Sequence, residues 1–219
     1  MRRAVLAVVA GAVLAAAPPA GAQALDPGQP GPYVVDVRGV LTGLPSAFIV
    51  FPLVPVDAVA PSGGLGIAVG MHVYPLQLGP ARIGIGASLV HARGRAAPVV
   101  VADDGVDPEP GTEIRTRMTL VEPEISLNFG TGDGWSYLSA GAGWGVLRAA
   151  LDGSEPLTAE SGWGPMLNYG GGARWFLNAR LAVGFDVRAH QFQGRPLFGG
   201  STQFPRTTLM TASVGLSLR

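Results

Sequence analysis

The side chains able to do chemistry in this 219-residue chain are scattered charges: Asp36, Arg38, Arg82, Glu122, Glu124, Arg174, Asp186, Arg188 and His190. Glu122 and Glu124 have the i, i+2 spacing that puts two carboxylates on one face of a strand. That geometry suits paired-acid work, and equally suits salt bridging to Arg174 and Arg188. His190 is followed by Gln191 and Phe192, without the nearby serine that a His-Ser esterase acting on lipid requires. His72 and His91 stand alone in the sequence. Three histidines without a cysteine make no metal-ligand spacing. The glycines alternate within strand-like runs instead of opening a helix as a phosphate-binding loop does. The expectation is therefore no catalytic residue, no metal and no cofactor.

What these charges share is parity. From Leu181 onward, Leu181, Val183, Phe185, Val187 and Ala189 alternate with Ala182, Gly184, Asp186, Arg188 and His190, a period of two that no helix accommodates. On the preceding arm Leu167, Tyr169, Ala173 and Trp175 oppose Asn168, Gly170, Gly172 and Arg174, with a short turn around Leu177-Asn178-Ala179. The same pattern recurs in Tyr33–Leu41, Leu65–Tyr74, Arg82–Leu89, Arg117–Phe129, Trp135–Leu147 and Thr208–Arg219. In each, one face is apolar, and across the set the other carries glycine, hydroxyls and charges of both signs.

Composition says which solvent those faces meet. The chain is 47% hydrophobic and only 14% charged, against about a quarter charged in soluble domains. Beyond the leader, no run approaches the ~20 apolar residues of a transmembrane helix, so only strands remain as spanning elements. Residues 1–24 read as a secretory signal peptide: Arg2 and Arg3, an apolar run from Ala4 to Ala17, and Ala22-Gln23-Ala24 as the cleavage site. Residues 25–32 form a short tail, and residues 33–219 the folded part. Without the two leader arginines, 13 basic and 15 acidic residues remain, and no basic run points to nucleic acid. An exported chain without cysteine has no disulfide framework and must be held by hydrogen bonds and packing. Its basic residues are all arginine, a bias of GC-rich coding that also allows bidentate pairing in a cramped interior.

About eight strands are expected, joined alternately by tight turns (Pro75–Pro80, Thr131–Gly134, Leu177–Ala179) and long connections (Thr42–Gly64, Ala92–Arg115, Arg148–Gly164, Gln193–Arg206). Transmembrane barrels have this asymmetry, with short periplasmic turns and long outer loops. Phe129, Trp135, Trp175 and Phe176 lie beside the short turns, where an aromatic girdle belongs. The acidic run Asp103, Asp104, Asp107 and Glu109 reads as a solvated loop, and the apolar stretch Phe48–Leu53 as a cap on the barrel mouth or a membrane contact.

The patterns Trp135-Ser-Tyr-Leu-Ser-Ala-Gly-Ala-Gly, Asn168-Tyr-Gly-Gly-Gly-Ala-Arg-Trp and Leu181-Ala-Val-Gly-Phe-Asp-Val-Arg, with a final alternating strand, resemble the small outer-membrane barrels of OmpA/OmpX type. The resemblance covers Tyr33 to Arg219. It implies an all-β, eight-stranded antiparallel up-and-down transmembrane barrel in the cell outer membrane, with outer-membrane lipid and the assembly machinery as partners. It also implies a structural, adhesive or host-interaction role, with extracellular ligands met through the long loops. The chain departs from that family in ending Leu218-Arg219 without the terminal aromatic of the assembly signal, and in having no peptidoglycan-binding domain after the barrel.

The leading expectation is a non-enzymatic barrel whose lumen is filled by the charge network named above, and which is not a bulk-flow porin. Two alternatives stand beside it. One is an outer-membrane lipid-modifying enzyme. The other is a soluble lipocalin-like carrier, since alternation alone does not say which face is inside.

Overall fold

In a computed structural model of the protein, the described residues are 32–44, 61–96, 99–100, 109–110, 113–130, 134–151, 158–178, 180–196, 203–204 and 206–219. The leader, most of the tail, Phe48–Leu53 and the acids at 103, 104 and 107 lie outside them. Eight long strands form one ring: β1 Tyr33–Gly43, β2 Gly63–Leu78, β3 Ala81–Ala96, β4 Ile114–Phe129, β5 Gly134–Leu151, β6 Gly164–Phe176, β7 Leu181–Phe192 and β8 Thr207–Leu218. Each pairs antiparallel with its sequence neighbours. β1 closes on β8, from Val35 opposite Leu218 to Thr42 opposite Thr211. A closed ladder leaves no unpaired strand edge. The long connections add short ladders, Thr158–Glu160 on β5, Val99–Val100 with Glu109–Pro110, and Arg195–Pro196 with Gln203–Phe204.

The three short connections share one end of the barrel with the start of β1 and the end of β8. Between β2 and β3 only Gly79 and Pro80 remain outside the strands. Gly79 takes φ 58°, the positive value that a two-residue hairpin turn demands at its first central position. Between β6 and β7, Asn178 Oδ1 accepts from the backbone N–H of Arg180 and of Leu181, each at 2.9 Å.

The strands run further than their alternation suggests. The Pro75–Pro80 turn is in fact mostly strand: β2 continues to Leu78 across a register shift between Val73 and Leu76. The shift accommodates Pro75, whose missing N–H excludes it from a regular ladder. At the other end, β3, β4 and β5 extend into stretches that read as loop, to Ala96, from Ile114 and to Leu151. Their outward positions there are mostly arginines, with only the small Ala150 apolar, so the hydrophobic signal stops before the ladder does.

Every long strand turns its apolar face outward. Val37, Leu41, Leu65, Ile67, Val69, Ile85, Leu89, Ile125, Leu127, Leu138, Leu167, Phe185, Val187, Val214 and Leu216 are all exposed on the outer wall. The inward face forms three layers. At the turn end, Val34, Tyr74, Trp135 and Tyr137 pack together with Phe176 against them. At the loop end, Val40, Val90, Ala92, Met118, Leu120, Leu147, Met166, Phe192 and Leu209 form an apolar cluster. The charges lie between. The expected aromatic girdle is therefore only half outward: Trp175 is 52% exposed and Phe129 41%, whereas Trp135 is 4% exposed inside the lumen. Trp135 rests 4.8 Å from the Phe176 ring and 6.0 Å from Tyr74. Odd Trp175 and even Phe176 must face opposite ways on one strand, so four aromatics near the turns do not make four interfacial anchors.

Glycine on the inner face is set by curvature. A Cβ on Gly215 of β8 would lie 2.1 Å from the Val37 carbonyl oxygen, while one on outward Gly39 of β1 has nothing nearer than 3.8 Å. Gly215→Ala is therefore expected to destabilise the barrel by about 1–3 kcal/mol through overpacking, and Gly39→Ala to leave it unchanged or slightly more stable. Urea titrations of protein folded into lipid vesicles, read by the gel shift between folded and boiled forms, check both.

Candidate functional site

The central lumen layer is built from inward positions of all eight strands, and its charged residues are buried except Arg38, which is half-buried. Arg174 of β6 reaches across the barrel to Asp36 of β1, with Nη2 donating to Oδ2 at 2.8 Å and Nε to Oδ1 at 3.2 Å. This is the bidentate geometry that a guanidinium makes with a carboxylate. Ser217 Oγ donates to Asp36 Oδ1 at 2.5 Å. Arg38 Nη2 stands 2.9 Å from Asp36 Oδ2, and its Nη1 3.8 Å from Asp186 Oδ2. The Tyr137 ring lies under the Arg174 guanidinium at 4.4 Å, and its hydroxyl donates to Asp186 Oδ2 at 2.9 Å.

Arg188 of β7 is the second hub. It donates to Glu124 Oε2, to Asn168 Oδ1 at 3.0 Å, to Ser139 Oγ at 2.8 Å, and to both oxygens of Asp186 at 3.3 and 3.2 Å. His72 completes a circuit, with Nε2 2.9 Å from Glu124 Oε1 and Nδ1 3.6 Å from Asp36 Oδ2. The chain of contacts runs Asp36, Arg38, Asp186, Arg188, Glu124, His72 and back to Asp36. Buried charge of this kind is tolerable only when each group has its partner.

The sequence-derived residues fall in three places. Asp36, Arg38, Glu124, Arg174, Asp186 and Arg188 meet in this circuit. Glu122 and His190 form a separate pair with Nδ1 2.6 Å from Oε1, a close contact without hydrogen-bond alignment. Glu122 also accepts from Ser88 Oγ at 3.1 Å, and His190 Nε2 lies 2.9 Å from Thr211 Oγ1. Glu122 is thus matched with His190, not with Arg174 or Arg188, because Arg174 sits toward the turn end and Arg188 is occupied by Glu124 and Asp186. Arg82 lies at the turn-end rim, where its Nη2 donates to Gln77 Oε1 at 3.4 Å. Sequence reasoning left His72 alone, yet its Nε2 meets Glu124 and its Nδ1 faces Asp36 without hydrogen-bond alignment. His72 and Glu124 both have inward parity, which was the available signal. His91 faces the outer wall, with Nδ1 2.9 Å from Thr119 Oγ1 and Nε2 accepting from Arg93 Nε at 3.2 Å.

Between these side chains remains a cavity of about 30 Å³. That admits ordered water but no aqueous channel. Among the described residues, no group of three or more histidines or carboxylates is arranged to hold a metal ion. A nucleophile with an accessible base is likewise not assembled here, since each carboxylate and imidazole of the layer is enclosed by the barrel wall.

This is a closed eight-stranded antiparallel barrel, apolar outside and charged inside, of the kind that spans outer membranes. A solved structure agrees on the fold. The chain is similar to Neisserial surface protein A, at 12% identity and a TM-score of 0.51 over 86% of this chain and 97% of that one. It is also similar to Ail, the attachment invasion locus protein of Yersinia pestis, in complex with the heparin analogue sucrose octasulfate (12% identity, TM-score 0.44, 85% and 95% covered). A third likeness is to the outer membrane protease OmpT of Escherichia coli (9% identity, TM-score 0.40, 87% and 97% covered). No protein-family model matches the chain, and no curated protein matches it in sequence.

Removing one partner of a buried charge pair leaves the other uncompensated. Arg174→Ala and Arg188→Ala are each expected to lower stability by about 3–5 kcal/mol. Val187→Arg, placing charge on the lipid face, is expected to lower it by about 2–4 kcal/mol near the midplane, and Val187→Ala by less than either. The same urea titration ranks the four.

Proposed function

We propose that the chain is an integral outer-membrane barrel with a structural or surface-interaction role, exercised through its four long connections, and not a bulk-flow porin or an enzyme. The observation that carries this reading is the filled lumen. A mutually paired charge layer is closed toward the loops by Met118, Leu120, Leu147, Met166, Phe192 and Leu209, and toward the turns by Tyr74, Trp135 and Tyr137. Eight strands enclose just enough space for side chains to fill, whereas aqueous pores need about 16. A carrier would turn its apolar face inward around a ligand, the reverse of this arrangement. An enzyme acting on membrane lipid needs its base at the outer wall or rim, and His190 is inside, against Glu122 and Thr211. With short turns and both strand ends at one side, the long connections project outward, where partners of the cell surface are met. Lipid and the assembly machinery are the partners the barrel itself requires.

Two measurements test this reading. Carbonate-washed membranes are expected to retain the mature protein, and recovery in the soluble fraction would revive the carrier. Planar-bilayer recordings of purified protein are expected to show no stable large conductance, and a steady ohmic current would contradict the filled lumen.

A further inference from the structure

Within its apolar band the ring of described strands has one interruption. The β4–β5 ladder runs from Ile114 opposite Leu151 to Val121 opposite Trp144, and again from Ile125 opposite Ala140 to Phe129 opposite Ser136. Both stretches keep the same register, yet Glu122, Pro123 and Glu124 make no ladder pair with Gly143, Ala142 and Gly141. The ladders on either side, β3–β4 and β5–β6, pass this level unbroken. Pro123 is the cause. A Cβ built on Gly141 would meet the Pro123 carbonyl oxygen, and one on Gly143 that of Val121, so both carbonyls point at β5. In an antiparallel ladder the N–H and C=O of one residue face the same neighbouring strand. Pro123 therefore faces β5 with a carbonyl and no N–H, and the Ala142 carbonyl opposite it loses its ladder donor.

Height makes that loss matter. Pro123 is six residues along β4 from Phe129, which for a rise of ~3.4 Å per residue and a tilt of ~45° places it about 14 Å higher. The apolar band of such barrels is ~25 Å tall. The gap thus lies near the middle of the hydrocarbon, where no outside water replaces a missing donor. The wall is also thin at this level. On the outer face Pro123 sits between the small Ala87 and Ala142. On the inner face Gly141 and Gly143 carry no side chain, and Glu122 and Glu124 alone border the gap. Those two carboxylates line the central lumen cavity together with His190, and Glu122 Oε1 and His190 Nδ1 have no hydrogen-bond partner. Toward both barrel ends the same cavity is covered by the apolar clusters.

We propose that the β4–β5 seam at Pro123 is a lateral gate: Val121–Ile125 and Ala140–Trp144 part there as one unit, opening the lumen cavity toward the membrane and not toward either end. Local opening starts where a ladder has the fewest bonds to break, and here one bond is already missing by covalent structure. The gate depends only on the barrel spanning a membrane, so it stands apart from the surface role proposed above.

Amide hydrogen exchange, read by NMR on the mature protein in lipid nanodiscs, tests the gate. The amides that face across the seam belong to Val121 and Ile125 of β4 and to Ala140, Ala142 and Trp144 of β5. Gly39 and Val214, paired in the β1–β8 ladder at a similar height, are the reference. In wild type the five seam amides are expected to share one protection factor, at least about ten-fold below that of the reference pair. Pro123→Val restores the donor and is expected to raise all five to within about three-fold of the reference, leaving the reference unchanged. The gel shift between folded and boiled forms confirms that the variant is folded, and Pro123→Ala is a second variant with the same expected direction. Weak protection confined to Ala142 would reduce the gap to one lost bond and overturn the gate. So would seam protection equal to the reference in wild type, or an equal rise at seam and reference in the variant, which marks general stabilisation.

Discussion

The constraint on which the rest of this structure depends is closure of the backbone ladder. In hydrocarbon no water satisfies a free N–H or C=O, so a sheet can cross only when its first and last strands pair. The Val35–Leu218 to Thr42–Thr211 pairing of β1 with β8 does this, and it fixes the ring at eight strands. A ring of that size has a narrow interior. Neighbouring inner faces then approach closely enough that Gly215 leaves no room for a methyl group beside the Val37 carbonyl.

A narrow interior in turn dictates what its side chains do. Charges there have little water to solvate them, so each must be answered by another side chain. Arg174 with Asp36, and Arg188 with Glu124, are answers drawn from strands far apart in sequence. These pairs cross the lumen and tie opposite walls together, which backbone hydrogen bonds between neighbours do not. The apolar layers above and below shield the pairs from bulk solvent, and so strengthen them. Side-chain packing, charge pairing and the absence of an aqueous channel are one arrangement seen from three sides.

Much of this was legible because a period of two is unambiguous over ten residues. Alternation along residues 181–190 assigns Asp186, Arg188 and His190 to one face and Phe185 and Val187 to the other, and the neighbouring strands follow. Partner choice was not legible. Parity places Glu122 and Glu124 on the inner face but carries no information about height relative to Arg174 or His190, which depends on stagger around the ring. The apolar lumen layers were also hidden, since Leu120 or Phe192 pointing inward looks no different in sequence from a leucine facing lipid. Strand ends were missed for the converse reason: Arg93, Arg115 and Arg148 face outward, and the alternation of polarity disappears although the ladder continues.

Because the chain contains no cysteine, single cysteines can report on each face without background. Spin labels at Val69, Leu89, Ile125 and Val214 on the outer wall, and at Ser139 in the lumen, can be placed in protein reconstituted into lipid bilayers. Collisional relaxation by oxygen, which concentrates in hydrocarbon, is then compared with relaxation by a water-soluble nickel chelate. The account predicts strong oxygen and weak nickel effects at the four outer positions, and weak effects of both at Ser139. Strong nickel relaxation at the outer positions would contradict the membrane-spanning wall, and strong nickel relaxation at Ser139 would contradict the filled lumen.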